Sequence, residues 1–398
     1  MNSLRIVKNA EGVNGVTLSN QCVLLIENKE DKLMDFNYQS YYMYNLENNT
    51  KVEIAPNIPK LNIVEIRDIN KCPEYVYFAN FHYEEDGRIE IRIFRYSIKE
   101  KNCKNVYTIK DEYIKYEKYL RTKIFVLNEF YLLIQNEILR SNLTENYEDY
   151  LDFELSMYNI LQEETIKIAD ENLNANGISD IKLIGENVCV LKSGFSLMKD
   201  ERFKFLEKEE VSVESISFVN LGQLVSDIII SKRNIVMNTI EQTFYNTTIP
   251  YFRVHGEYLI YSKYNLEQNE ETVVFYNYTT KDSRVCINKN ENEEISLAKT
   301  IIFNKKPYIM IETSNGIEFY NVMDKKTDFV FKNNDKFEYA INDIIIGSIE
   351  KKGMFGKSKN YINVYKYPGL SLVHSEKGSF LGCILDGNGK TYILTKKG

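Results

Sequence analysis

Along this chain, apolar strand-like runs repeatedly end in an aromatic residue, then a small polar residue, then a turn. The copies are Tyr44-Asn45, Tyr96-Ser97, Tyr158-Asn159, Tyr276-Asn277, Tyr320-Asn321 and Tyr365-Lys366, with Phe205-Leu206 as a degenerate seventh. Successive copies lie 52, 62, 47, 71, 44 and 45 residues apart. A unit of about 40 to 60 residues cannot bury its own apolar face and must stack on its neighbours. The 398 residues exceed the roughly 250 to 300 at which a single core stops growing. A stacked array escapes that limit.

Each unit has more than its tyrosine. A first strand meets a tight turn and a second, strongly apolar strand, as in Val16–Leu25, Ile181–Val190 and Phe252–Tyr261. The middles are Ser-Asn, Gly-Glu and His-Gly, residues that supply positive φ or local side-chain hydrogen bonds. A third strand ends in the tyrosine motif, and a short fourth follows, as in Lys51–Ile54 or Asn105–Ile109. Asp86-Gly87 and Asn315-Gly316 mark hairpins between second and third strands. The strands are apolar on both faces, as Val273-Val274-Phe275-Tyr276 shows, so each sheet is expected to lie between two others.

Four antiparallel strands per unit, repeated and buried on both faces, resemble a β-propeller. The resemblance covers nearly the whole chain but is one of architecture. The Trp-Asp and Gly-His signatures of WD40 repeats, the paired glycines of kelch repeats and the tryptophan boxes of sialidase-like propellers are missing, so no family residues carry over. The tyrosine motif counts seven blades. First-two-strand hairpins, near 15–27, 62–80, 121–135, 181–191, 251–262, 297–312, 336–349 and 380–395, count eight, which is the expected number. The last hairpin has no third strand after it, and Leu4–Val7 is an unassigned strand at the other end. Pairing the two would close the ring and remove an open edge. One propeller over 1–398 is expected, with insertions at 142–152 and 221–248, the latter either a helix or an extra hairpin.

The formal charge is −7, without the basic balance of a nucleic-acid binder. The N-terminal residues have no apolar stretch of a secretory signal, and no run approaches a membrane span. Six scattered cysteines without a Cys-x-x-Cys pair point to reduced thiols in a cytoplasmic protein.

Motifs that carry chemistry are faint. Gly353–Ser358 looks like part of a P-loop, but Lys351 stands where the first glycine belongs and the segment joins two strands. Asp386-Gly387-Asn388-Gly389 opens like a calcium loop without its later acidic ligands. His82, His255 and His374 share no metal-ligand spacing, and there is no Gly-x-Ser-x-Gly elbow. No catalytic residue, cofactor or metal is therefore assigned. Two loop tips are candidates for partner contact: the basic tip Lys351, Lys352, Lys357 and Lys359 around Met354 and Phe355, and the acidic, aromatic tip bearing Tyr147 and Tyr150.

The function expected from these features is a non-catalytic cytosolic interaction platform, or a subunit of a larger assembly, with a protein partner. The alternative is a propeller enzyme, a hydrolase or lyase, with its site at the central channel mouth. Two or more carboxylates converging there with Arg or His would favour the enzyme.

Overall fold

In the computed structural model, residues 4–8, 13–19, 21–31, 36–61, 63–70, 74–83, 89–109, 119–140, 150–168, 176–197, 210–231, 237–244, 246–250, 252–287, 300–332, 335–352, 358–385 and 390–396 are described. They form eight small sheets, the blades of a β-propeller. The first strand, β1 (Leu4–Lys8), belongs to the last blade. Blade 1 is β2 (Val13–Ser19), β3 (Cys22–Asp31), β4 (Phe36–Asn45) and β5 (Lys51–Pro59) in order. After β6 (Val64–Asp68), blade 2 is β7 (Tyr75–Tyr83), β8 (Ile89–Ser97) and β9 (Asn102–Ile109). Blade 3 is β10 (Tyr119–Val126), β11 (Tyr131–Arg140), β12 (Tyr150–Asn159) and β13 (Glu164–Lys167). Blade 4 is β14 (Asn176–Ile184), β15 (Asn187–Leu197), β16 (Glu210–Asn220) and β17 (Asn238–Phe244), with helix α1 (Leu221–Ser231) between the last two.

Blade 5 holds β18 (Thr247–Thr248) and β19 (Phe252–His255), both on β20 (Tyr258–Asn265), then β21 (Glu270–Asn277) and β22 (Ser283–Ile287). Blade 6 is β23 (Thr300–Phe303), β24 (Lys306–Thr313), β25 (Gly316–Asn321) and β26 (Lys326–Phe331). Blade 7 is β27 (Lys336–Ile341), β28 (Ile344–Lys352), β29 (Ser358–Lys366) and β30 (Ser371–Lys377). Blade 8 is β31 (Ser379–Leu385), β32 (Thr391–Lys396) and β1, which joins β32 in parallel from Leu4 opposite Thr391 to Lys8 opposite Thr395.

Burial on both faces explains the unbroken apolar runs. In β20, Leu259 and Tyr261 pack toward blade 4 while Ile260 packs toward blade 6. In β11, Leu132 and Ile134 face blade 2 and Leu133 faces blade 4. Eight such clusters join each blade to the next, and Val7, Val23, Tyr44 and Leu394 join the eighth to the first. The first strands of neighbouring blades touch, β14 with β19, β23 with β27, β27 with β31 and β31 with β2. These strands surround the axis.

The tyrosines of the repeat are structural. Tyr44, Tyr96, Tyr158, Tyr276, Tyr320 and Tyr365 each pack toward the preceding blade. The following asparagine folds the turn: Asn45, Asn159, Asn277 and Asn321 each accept two backbone N–H groups on Oδ1. One residue further on, the N–H of Leu46, Ile98, Ile160, Leu221, Tyr278 or Tyr367 donates to the carbonyl just before the second strand, and that of Val322 to the Pro307 carbonyl within β24, at 2.8–3.1 Å. In blade 4 this place belongs to Val219-Asn220-Leu221, with no aromatic residue. Phe205-Leu206 lies outside the described residues.

Blade 2 departs from the expected hairpin over 62–80. Its two strands form, but β6 pairs in parallel with β10, Val64 opposite Thr122 through Asp68 opposite Val126. Charge holds it there: the Arg67 guanidinium donates to Asp180 Oδ1 at 2.6 Å and to the Ser179 carbonyl at 3.2 Å on β14. A second difference is the 313–316 hairpin, where Ser314 and Asn315 form the loop and Gly316 opens β25 with φ 121°. A Cβ there would lie 2.3 Å from the Phe331 carbonyl, so glycine is required by close approach. Asp86-Gly87 lies outside the described residues.

Candidate functional site

The turns between first and second strands all emerge at one face of the ring, because the first strands share one direction around the axis. In blades 5 to 8 these turns enclose a cavity of about 600 Å³. Its floor is Ile302, Ile341 and the half-buried Tyr258. Its rim is His255, Glu257, Asn304, Lys305, Asn342 and Asp343. Left-handed backbone makes these turns tight: φ is 58° at Gly256, 48° at Asn304, 61° at Lys305 and 51° at Asn342.

Neighbouring elements fix the rim. The Glu257 carbonyl accepts from Tyr278 N at 3.0 Å and that of Asp343 from Tyr367 N at 2.8 Å, so both backbones are tied to their own blades. The Asp343 carboxylate lies 3.5 Å from Lys366 Nζ, and Asn342 donates to Thr391 Oγ1 at 3.4 Å, linking blades 7 and 8. The Glu257, Asp343 and Lys305 side chains are exposed at the opening. The mouth thus gathers two carboxylates, an imidazole and an ammonium from three blades, the group types used for proton transfer and for binding polar substrates.

Deeper between blades 3 and 4 lies a buried polar network. Lys123 Nζ pairs with Glu137 Oε1 at 2.8 Å, Arg121 Nε donates to Glu137 Oε2 at 2.6 Å, and Gln135 donates to and accepts from the Ile178 backbone at 3.2 and 2.6 Å. Burial pushes the Glu137 carboxyl up, but the Arg121 and Lys123 bonds and charges outweigh it and hold the group below the usual carboxylate range. The network is saturated and offers no open position, so its role is to pin two blades.

Of the loop-tip candidates, Lys351 on β28 stands opposite Lys359 on β29, one pair in from the strand ends, and its Nζ sits 4.9 Å above the Tyr361 ring. Lys359 is exposed. Lys352 and Tyr150 lie on strands without described side chains, and Tyr147, Met354, Phe355 and Lys357 lie outside the described residues. Lys351 and Lys359 are not among the residues that line the mouth. No cluster of three or more potential metal ligands is found among the described residues, and no helix is long and apolar enough to cross a membrane. Sequence reasoning placed His255 in a turn without seeing what it would meet. The usable signal was positional: every first-hairpin turn of a ring faces the same opening.

No protein-family model matches the chain, and no characterised protein matches it by sequence. Solved structures do. The β-propeller domain of the Trilobed protease from Pyrococcus furiosus aligns over 92% of this chain and 94% of its own, at 10% identity and TM-score 0.41. The Pyrococcus horikoshii acylaminoacyl peptidase aligns over 90% of this chain and 50% of its own, at 12% identity and TM-score 0.44. A post-proline cleaving enzyme from Rickettsia typhi aligns over 87% and 50%, at 11% identity and TM-score 0.38. The chain spans about half the length of the latter two. At these identities the likeness is one of fold alone.

The expected non-catalytic interaction platform is corrected here. That expectation rested on the lack of a contiguous motif, and a site assembled from single turn residues of successive blades leaves none. The similar solved structures come from peptidases, and what this chain shares with them is the fold.

Proposed function

We propose that the protein is a hydrolase-associated propeller whose first-hairpin mouth receives a small polar substrate. The supporting observation is the convergence of Glu257, Asp343, His255 and Lys305 on one cavity with an apolar floor. Its size of about 600 Å³ falls in the range that encloses small ligands. Glu257 and Asp343 are the candidate proton-transfer groups, and Lys305 and His255 the candidate positioning groups. Five unbridged cysteines among the described residues support a reducing, cytoplasmic setting, and the −7 charge argues against nucleic acid as substrate.

The test is a panel of chromogenic amides, esters and glycosides with the full chain, beside Glu257→Gln and Asp343→Asn. Turnover is expected, reduced roughly 100-fold or more in at least one variant. Turnover unchanged in both, or none with any substrate, overturns the proposal.

A further inference from the structure

Among the described residues, blade 2 lacks the strand that every other blade has at its inner edge. In the other seven, the first strand pairs antiparallel with the second. Here β6 has gone to β10, and among the described residues β7 pairs with β8 only. The parity of the open edge can be read from the ladder. Ile98 N donates to the Glu74 carbonyl at 3.1 Å, and the β7–β8 register runs without a bulge from Tyr75 opposite Ser97 to Tyr83 opposite Ile89. Even-numbered residues therefore bond to β8, and the N–H and C=O of Tyr75, Tyr77, Ala79 and Phe81 point away from it.

A cleft of about 430 Å³ runs along this edge, between β7 and the β5–β6 connection. Leu24, Tyr41 and Phe78 line one wall and Val64 and Ile66 the other. It continues into a second hollow of about 260 Å³ that shares Asp68, Asn70, Tyr75 and Tyr77 with it. Tyr77 lines both, with its hydroxyl buried beside Arg95. The far end is acidic, with Asp68, Glu74 and Glu129, while Arg95 is engaged by the Glu129 carbonyl at 2.8 Å and by the Tyr75 ring at 4.3 Å.

We infer that this cleft binds an extended peptide, which enters antiparallel to β7 as the missing inner strand of blade 2, with a basic group at the acidic end. Unpaired strand edges take up peptides through main-chain bonds, with alternate side chains filling pockets on either side. The two apolar walls supply those pockets, and Asp68, Glu74 and Glu129 supply the charge that receives the basic group. β6 does not compete, because its ladder to β10 and the Arg67–Asp180 pair hold it elsewhere. The site is separate from the channel mouth and does not depend on what the mouth does.

The probe is a seven-residue peptide, alternating valine and threonine with one C-terminal lysine and fluorescein at its N-terminus, followed by anisotropy against the full chain. Saturable binding is expected. N-methylation of the alternate set of amides that faces β7 weakens it about tenfold or more, and methylation of the other set leaves it unchanged. Ala79→Pro removes one outward N–H at an edge where proline is tolerated, and weakens binding similarly with an unchanged unfolding midpoint. Hydrogen exchange at Tyr75, Tyr77 and Ala79 slows when peptide is added. Absent binding, equal binding of both methylated peptides, or slow exchange at those amides before peptide is added overturns the inference. So does loss of binding in Glu257→Gln, which would put the peptide at the mouth.

Discussion

Asn321 shows how much one side chain contributes to a blade. Its Oδ1 accepts from Met323 N and Asp324 N at 3.0 Å each, and its Nδ2 donates to Asp324 and Asp328 at 2.9 and 2.8 Å. The residue is fully buried. Asn321→Ala removes these partners together and is expected to cost about 2–4 kcal/mol in denaturant unfolding. Asn45, with two backbone bonds, should cost about 1 kcal/mol when replaced by Ala. Equal losses at the two sites would contradict this account. Lys123 is a harder case, because Lys123→Met leaves the buried Glu137 with one half-exposed cation, Arg121, and the neutral Gln135 amide. A loss of about 3–5 kcal/mol is expected. The sign of the pH dependence follows. Glu137 titrates lower in the folded chain than in the unfolded one, so its contribution is present above the ordinary carboxylate range and is lost as pH falls through the folded value. The acid-side slope of unfolding free energy should be shallower in a Lys123→Met, Glu137→Gln double variant.

β6 marks where strand identity and strand partnership come apart. Its apolar alternation was enough to mark a strand near residue 62, and the following run was enough to mark another. Which of the two edges β6 would join depends on Arg67 reaching Asp180, 113 positions away, and local patterning carries no trace of that bond. Arg67→Ala should therefore loosen β6 from β10, seen as faster exchange of the Thr122 amide that donates to the Ile63 carbonyl at 2.8 Å. Unchanged exchange would mean that the ladder alone holds it. Elsewhere the repeat was legible because its parts are local. Tyr276-Asn277 and Tyr320-Asn321 each combine a residue for the inter-blade face with one for the turn. Val219-Asn220 escaped notice because a valine fills the aromatic place. The mouth was least legible, since His255, Lys305 and Asp343 are ordinary turn residues until the ring brings three blades together.

Closure of the ring rests on β1. Val7 is 1% exposed and packs with Val23, Leu25, Tyr392 and Leu394 across the join of the last and first blades. Val7→Asp should lower stability by about 3 kcal/mol or more, because an unpaired carboxylate would be buried where two blades meet. A thermal melt with an unchanged midpoint would show that the ring tolerates an open seam. The Leu4–Lys8 segment bonds to residues almost four hundred positions later. During synthesis, then, the opening strand must wait for its mate until almost four hundred further residues have been made. An interrupted product lacking β32 would be an unlatched crescent with the greasy flank of β3 and β4 bare, giving chaperones and proteases a plain mark by which to tell it from the finished ring.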